Sequence, residues 1–370
     1  MFADMIINSN FMAASGKAKT RSTEHDNACE YHRMNDLSLW KIPWEVVPEY
    51  TLPQTDLTVI GRSRAARNTG FRIPKWNILL DCGLESDFHP DDIFITHLHN
   101  DHAYFVAKTL IDNENNPRIF VSSEQRKRLL KGGIEGVSEK LAVLLRNDIH
   151  SSFHATTLNP TPKIHNKYRI TELAPGGVLD TKINTKPCRI RGFWCDHSVP
   201  TIGYGFSELR EKLKPEFTEL KDEYKDLSNK ELKALKKKGI EVLKISNADI
   251  TKLRKDGIEI MEEQEYPLFC FLGDTTHRVF YKSRTNEYLP ELEKYPNIFV
   301  ESTYLYDEHI KEAHSTQHMH WNELRRYIMD HPDINFIVYH FSLRYKAEEI
   351  ISFFEKEVKK HGIKNIKPWI

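Results

Sequence analysis

An α/β protein, with β-sheets carrying helices on their outer faces, is predicted by three observations. Short β-branched and apolar runs alternate with amphipathic helical stretches in both halves of the chain. Each of the later strand runs ends in polar residues. The 18 histidines fall partly in tight groups, several of them directly after a strand run.

In chain order, Leu57 to Ile60 reads as a strand ending in Gly61. Phe71 to Ile73 and Ile78 to Leu80 follow, with Pro74 demoting the link between them. Ile93 to Ile95 is a short buried strand, and Ala103 to Ile111 a helix. Arg118 to Val121 leads into a charged helix over Glu124 to Lys131. Strands return at Tyr168 to Leu173, Val178 to Ile183 and Cys188 to Trp194, then at Leu268 to Leu272, Ile298 to Val300 and Phe336 to Tyr339. Trp321 to Met329 and Ala347 to Lys360 have helical spacing.

With 370 residues, the chain suffices for one large domain or two ordinary ones. Hydrophobic residues at 39% and charged residues at 29% fit a soluble globular protein, and no run approaches the roughly 18 apolar residues of a membrane span. Lys+Arg and Asp+Glu both count 53, which excludes a globally basic nucleic-acid binder but not a local basic patch. Five cysteines with no CxxC pair argue against a disulfide framework and predict a reducing compartment. Cytoplasm is the first expectation, with nucleus and organelle matrix left open. Residues 1–50 read as a poorly ordered extension, and 51–370 as the globular domain. Lys17, Lys19 and Arg21 permit a presequence reading, which Asp4 and the missing amphipathic arginine pattern oppose.

Residues 207–265 form a charged insertion predicted to be helical, over Glu208 to Tyr224 and Asn229 to Leu243. Nine Lys or Arg stand against four Asp or Glu over residues 228–256. Two readings stay open, a solvated helical excursion and an arm that touches a polyanion. Lys236 and Lys237 would be its phosphate contacts in the second.

The strongest chemical signal is Thr96-His97-Leu98-His99-Asn100-Asp101-His102. Three histidines and an aspartate just past a buried strand cannot all be core side chains, and imidazole with carboxylate suits zinc and similar divalent metals. His97 and His99 share one side of an extended chain, while Asp101 and His102 follow its turn. The run can therefore serve two ions. His197, Asp274 and His340 each lie just beyond an apolar strand, where a sheet would gather them. Asp81, between Leu80 and Gly83, reads as a carboxylate that orients a liganding imidazole. His318 and His320 read as the start of the helix at Trp321, and His277 as a candidate for lining the pocket.

The order of Asp81, the THLHNDH run, His197, Asp274 and His340 resembles the metallo-β-lactamase superfamily, and within it the ribonuclease Z group, which trims the 3′ trailer of precursor tRNA. Gly61 to Thr69 resembles that group's opening glycine turn with its Arg-Asn pair. Leu272-Gly273-Asp274-Thr275 resembles its GDT turn, His314-Ser315-Thr316 its His-Ser-Thr loop, and His340-Phe341-Ser342-Leu343-Arg344-Tyr345 its HFSxRY signature. The resemblance spans about residues 56–346.

It implies an αββα sandwich of the metallo-β-lactamase type and a division of ligands. His97, His99 and His197 would hold one Zn2+, Asp101, His102 and His340 the other, with Asp274 bridging; Mn2+ or Fe also suits such ligands. A metal-bridging hydroxide would be the nucleophile, with Asp101 as ligand and proton acceptor. His314 matches the family's proton donor, or is a surface-loop histidine. Arg344 contacts phosphate or caps the last helix. Glu301 occupies the place of the family's "HEAT" segment without the preceding histidine. The insertion agrees with the family's tRNA-gripping arm in position but not in character, since only Gly239 and Gly257 are glycines between Ser207 and Glu265.

The implied activity is a zinc-dependent endoribonuclease on precursor tRNA, with no membrane partner and with a homodimer as one arrangement. A metal-dependent hydrolase of a small phosphodiester, lactone or thioester is the alternative, and a non-catalytic scaffold of the same fold the third.

Overall fold

The computed structural model describes residues 47–85, 88–106, 109–110, 115–125, 169–245, 247–283 and 286–370. Strands β1 (Glu49–Thr51), β2 (Thr58–Arg64), β3 (Asn68–Ile73), β4 (Ile78–Leu80), β5 (Asp92–Phe94), β6 (Arg118–Ser122) and β7 (Arg169–Leu173) form one sheet in chain order. Strands β8 (Val178–Ile183), β9 (Lys186–Cys195), β10 (Thr201–Leu213), β11 (Met261–Phe271), β12 (Asn297–Glu301), β13 (Asn335–Tyr339) and β14 (Ile366–Pro368) form the second, again in chain order. Each sheet begins antiparallel and turns parallel at its fourth strand. The helices used below are α1 (Asn100–Ala103), α2 (Asn229–Lys237), α3 (Asn247–Lys255), α4 (Ile310–Thr316), α5 (Trp321–Asp330) and α6 (Ala347–His361), beside one-turn helices at Pro215–Thr218 and Leu289–Leu292 and shorter turns.

Strand alternation explains the layers. Phe269, Phe271, Ile337 and Tyr339 point inward and meet Phe71, Phe94 and Phe120 of the first sheet, while Cys270, Leu272, Phe336 and Val338 point outward under Trp321, Leu324, Ile328, Ile350 and Phe354 of α5 and α6. Edge-to-face rings tie the sheets together: Phe71 lies 5.7 Å from Phe271 and 5.6 Å from Tyr339, and Phe94 lies 5.2 Å from Tyr204. Such a pair contributes about 0.5–1.5 kcal/mol beyond the area it buries. The result is the αββα sandwich that the sequence predicts. No helix among the described residues is long and apolar enough to cross a membrane.

Four expectations differ from the structure or fall outside it. The insertion does not start as a helix at Glu208. Residues 207–213 continue β10 and pair with 261–267 of β11, so its stem is a β-ribbon. Its charges sit across strands: Glu265 takes Arg189, Arg191 and Ser207, and the Arg210 guanidinium lies 4.6 Å from the centre of the Tyr266 ring. Charge density suggested helix where cross-strand pairing was at work. Helix α2 starts at Asn229 with a Ser228–Glu231 capping box, but ends at Lys237, because Gly239 turns the chain at φ +74°. The predicted extension 1–50 lies outside the described residues up to 46, and its boundary falls inside β1. Of the helix predicted over 124–131, residues 126–131 lie outside them too.

Candidate metal centre

The parallel strands deliver their carboxyl ends to one edge, where open α/β sheets place their sites. Asp81 follows β4, His97 and His99 follow β5, Asp274 follows β11 and His340 follows β13. His197 lies in the turn from β9 to β10, at the same edge because β9 and β11 both pair antiparallel with β10. Asp101 and His102 sit in α1, which begins immediately after His99. All seven predicted ligands are brought together.

Their donor atoms divide into two groups. His97 Nε2 lies 3.1 Å from His99 Nδ1, which lies 3.3 Å from His197 Nε2. Asp274 Oδ2 stands 3.6 Å from His97 Nε2 and 3.8 Å from His197 Nε2. In the second group His102 Nε2 lies 3.2 Å from His340 Nε2, and Asp101 Oδ2 lies 3.4 Å from His340 and 3.6 Å from His102. Asp274 Oδ1 completes it at 3.3 Å from His102 and 3.5 Å from His340. The two oxygens of one carboxylate thus face different ligand sets.

These separations fit a metal. Tetrahedral ligands about 2.0–2.1 Å from a zinc ion stand roughly 3.3–3.4 Å apart. The outer ring nitrogens fix the tautomers: His102 Nδ1 donates to Asp81 Oδ2 at 2.7 Å and His197 Nδ1 to the Gln317 carbonyl at 2.9 Å. Their Nε2 lone pairs therefore point into the cluster at neighbouring nitrogens, an arrangement that a cation between them stabilises. Asp274 Oδ1 is buried and has no hydrogen-bond partner. Burial holds His97 far below its usual range, and His99 down at about 4, so both stay neutral and able to ligate. Burial also works against protonation of His102, but Asp274, Asp101 and Asp81 outweigh it and raise its pKa strongly. That pull measures the positive charge the carboxylates demand, which a bound cation supplies.

Local backbone choices place these groups. Asp81 and His340 both adopt left-handed conformations, φ +54° and +65°, at a cost of about 1–3 kcal/mol each for non-glycine residues. Asp81 is anchored by the Thr96 backbone N–H at 2.8 Å and by the Thr96 hydroxyl. Gly273 serves close approach: a Cβ there would stand 2.6 Å from Thr201 Cγ2 and 2.7 Å from Thr96 Cβ, so only glycine lets the turn bring Asp274 between the sheets. The turn between β2 and β3 reaches the same point, since Ala66 N–H donates to Asp101 Oδ2 at 2.9 Å. Arg64 beside it donates to the carbonyls of Phe341, Ser342 and Tyr345, stapling the loop that follows His340.

Replacing Asp81 by asparagine removes the charge that orders His102. The expected result is metal affinity lower by about 10–100-fold with the fold retained, read by competition with a chromophoric chelator.

Other predicted residues lie elsewhere. His314 is half-exposed on the last turn of α4 and pairs with Glu323, so the structure does not bring it to the cluster. Arg344 pairs with Glu312 and lies over the Tyr304 ring at 5.2 Å, rather than capping α6. Lys236 and Lys237 are exposed at the end of α2. They lie beyond the 13-residue strand β10, whose first residue is at the metal edge, so the strand alone spans about 40 Å.

The residue that sequence reasoning missed is His318. Its ring stacks on His340 at 5.5 Å and lies tilted 4.9 Å from the His197 ring. Its Nδ1 lies 2.8 Å from Glu301 Oε1 and 3.9 Å from Asp274 Oδ2. Glu301 is fully buried and also accepts from the Thr275 N–H at 2.8 Å and the Thr303 hydroxyl. Burial lowers the pKa of His318, but Glu301 outweighs it and pushes it up to about 9. His320 behaves as expected, accepting from Asn322 N–H at the start of α5.

No family model matches the chain. Over 264 residues it is 25% identical to "tRNase Z TRZ2, chloroplastic" of Arabidopsis thaliana, covering 70% of this chain and 59% of that protein. The chain thus spans under two thirds of the length of that curated relative. Among solved structures, the metallo-β-lactamase fold protein YhfI of Bacillus subtilis overlays with a TM-score of 0.46 at 10% identity, over 84% of this chain and 95% of YhfI. Human tRNase Z, short form (ELAC1), overlays with a TM-score of 0.43 at 14% identity, over 78% of this chain and 93% of ELAC1. The chain resembles tRNase Z in sequence.

Proposed function

We propose that this protein is a dinuclear zinc phosphodiesterase, an endoribonuclease that removes the 3′ trailer of precursor tRNA. The observation that carries the reading is Asp274, whose Oδ2 faces His97, His99 and His197 while its Oδ1 faces Asp101, His102 and His340. These seven residues would hold the ions. When bound, such a pair lowers the pKa of water toward neutrality and neutralises charge on phosphoryl oxygens.

The chain's own groups do the rest. Attack of water on phosphorus breaks the bond to the 3′-oxygen. Asp101, fixed by the Ala66 N–H, stands at the cluster to accept the proton of the attacking water. His318 takes the role that the resemblance had assigned to His314. Glu301 holds its Nδ1 side and keeps the ring protonated at neutral pH, so that Nε2 donates to the departing 3′-oxygen.

Two features support RNA over a small ester. The sequence likeness is to a tRNase Z. Strand β10 leads from the cluster edge into the insertion that carries the basic α2, and its 13 residues alone span about 40 Å, a reach that suits a long polyanion. The test is to load the protein with zinc, incubate it with precursor tRNA carrying a 3′ trailer, and map the cut. A single cut beside the discriminator nucleotide is expected. No cut, with hydrolysis of a small phosphodiester retained, would overturn the substrate assignment and leave the metal chemistry standing.

A further inference from the structure

His277 and His314, the two histidines near the site that the main cluster leaves unused, converge on one carboxylate. His277 lies in the turn three residues past Asp274, His314 on the last turn of α4, and Glu323 on the first turn of α5. His277 Nδ1 lies 3.0 Å and His314 Nε2 2.9 Å from the same atom, Glu323 Oε1. One ligand atom from each of the three falls within 4.8 Å of the others.

An ordinary ion-pair network accounts poorly for this arrangement. Two imidazoles crowd one oxygen while Glu323 Oε2 is buried without a hydrogen-bond partner. His277 Nδ1 is likewise buried, and despite its 3.0 Å approach it makes no hydrogen bond. His314 Nε2 meets Glu323 Oε1 in a hydrogen bond, but the buried His277 Nδ1 and Glu323 Oε2 beside it are left unmet at ligand-edge spacing, as in a coordination site before its ion arrives.

We propose that His277, His314 and Glu323 bind a third divalent transition-metal ion, with zinc as the first choice for two imidazoles and a carboxylate. The half-exposed His314 side leaves the fourth position to water. The ion would join three separate elements. One of them, α4, runs directly into Gln317, whose carbonyl holds His197 Nδ1, and into His318. An occupied site therefore pins the segment that orients one ligand and the proton donor of the main centre. The proposal stands apart from the assignment of the main cluster, since it draws on none of those seven ligands.

The test is a metal count. Chelator-stripped full-length protein is dialysed against buffered free zinc, and bound zinc is measured by plasma mass spectrometry. His314→Ala and Glu323→Gln are measured beside the wild type, with circular dichroism to confirm the fold. Each variant is expected to bind one equivalent fewer. In Asp274→Ala the remaining equivalent should be the one that adding Glu323→Gln removes. Counts for folded His314→Ala and Glu323→Gln equal to the wild type would overturn the third site. An unchanged count in Asp274→Ala would instead overturn the main-cluster assignment, so the two failures are told apart.

Discussion

Asp274→Ala is expected to lower phosphodiester turnover by about 10³-fold or more and to cut the zinc bound at the main cluster below one equivalent. The reason is geometric. Asp274 is buried, and among the described residues its carboxylate is the one group facing both ligand sets, Oδ2 at 3.6 and 3.8 Å from one and Oδ1 at 3.3 and 3.5 Å from the other. Without that carboxylate, each set keeps three ligands but loses its common anion, and mutual repulsion among the ring nitrogens is left uncompensated. The check is kinetics on a small phosphodiester together with metal analysis. Full activity with unchanged metal content would contradict the account.

The second large effect is expected at His318. His318→Ala should lower turnover of RNA by about 10²–10⁴-fold with the metal content of the main cluster intact. The same substitution should cost far less on bis(p-nitrophenyl) phosphate, whose leaving phenolate needs no proton. This contrast separates a proton donor from a residue that merely fills space between His197 and His340. Glu301→Gln should fall between wild type and His318→Ala on RNA, because the ring keeps its place but loses the charge that holds its proton. Equal losses on both substrates would show that His318 acts through the metal ligands.

Much of this site was legible in the sequence because it is built from strand ends. Apolar runs such as Phe336 to Tyr339 identify themselves by composition, and a polar residue just past them must emerge at a sheet edge. That logic places His97, Asp274 and His340 without coordinates. Asp81 followed from the same position and from the need of a liganding imidazole for an oriented partner.

His318, the proton donor proposed above, was not legible, and the cause is local. Ala313-His314-Ser315-Thr316 matches a family pattern, while the structure carries α4 through those residues and leaves His314 beside Glu323. The left-handed Gln317, φ +55°, then turns the chain so that His318 enters the cluster. The signal available was the boundary of α5. A helix starting at Trp321 leaves Gln317 to His320 as a loop, and a buried acid at Glu301 requires a base.

The insertion misled for a different reason. Helical composition and strand composition converge when a stretch is mostly charged, and only the partner strand 261–267 decides between them. Gly273 is a third case. The GDT turn was legible as a motif, whereas the need for glycine in it comes from the close approach of Thr96, just past β5, and Thr201, at the start of β10.

The most direct test of the central claim is anomalous diffraction at the zinc edge from crystals of the zinc-loaded protein. The account predicts two peaks flanking Asp274, one contacting His97, His99 and His197 and the other contacting Asp101, His102 and His340. A single peak there, or none, would contradict it.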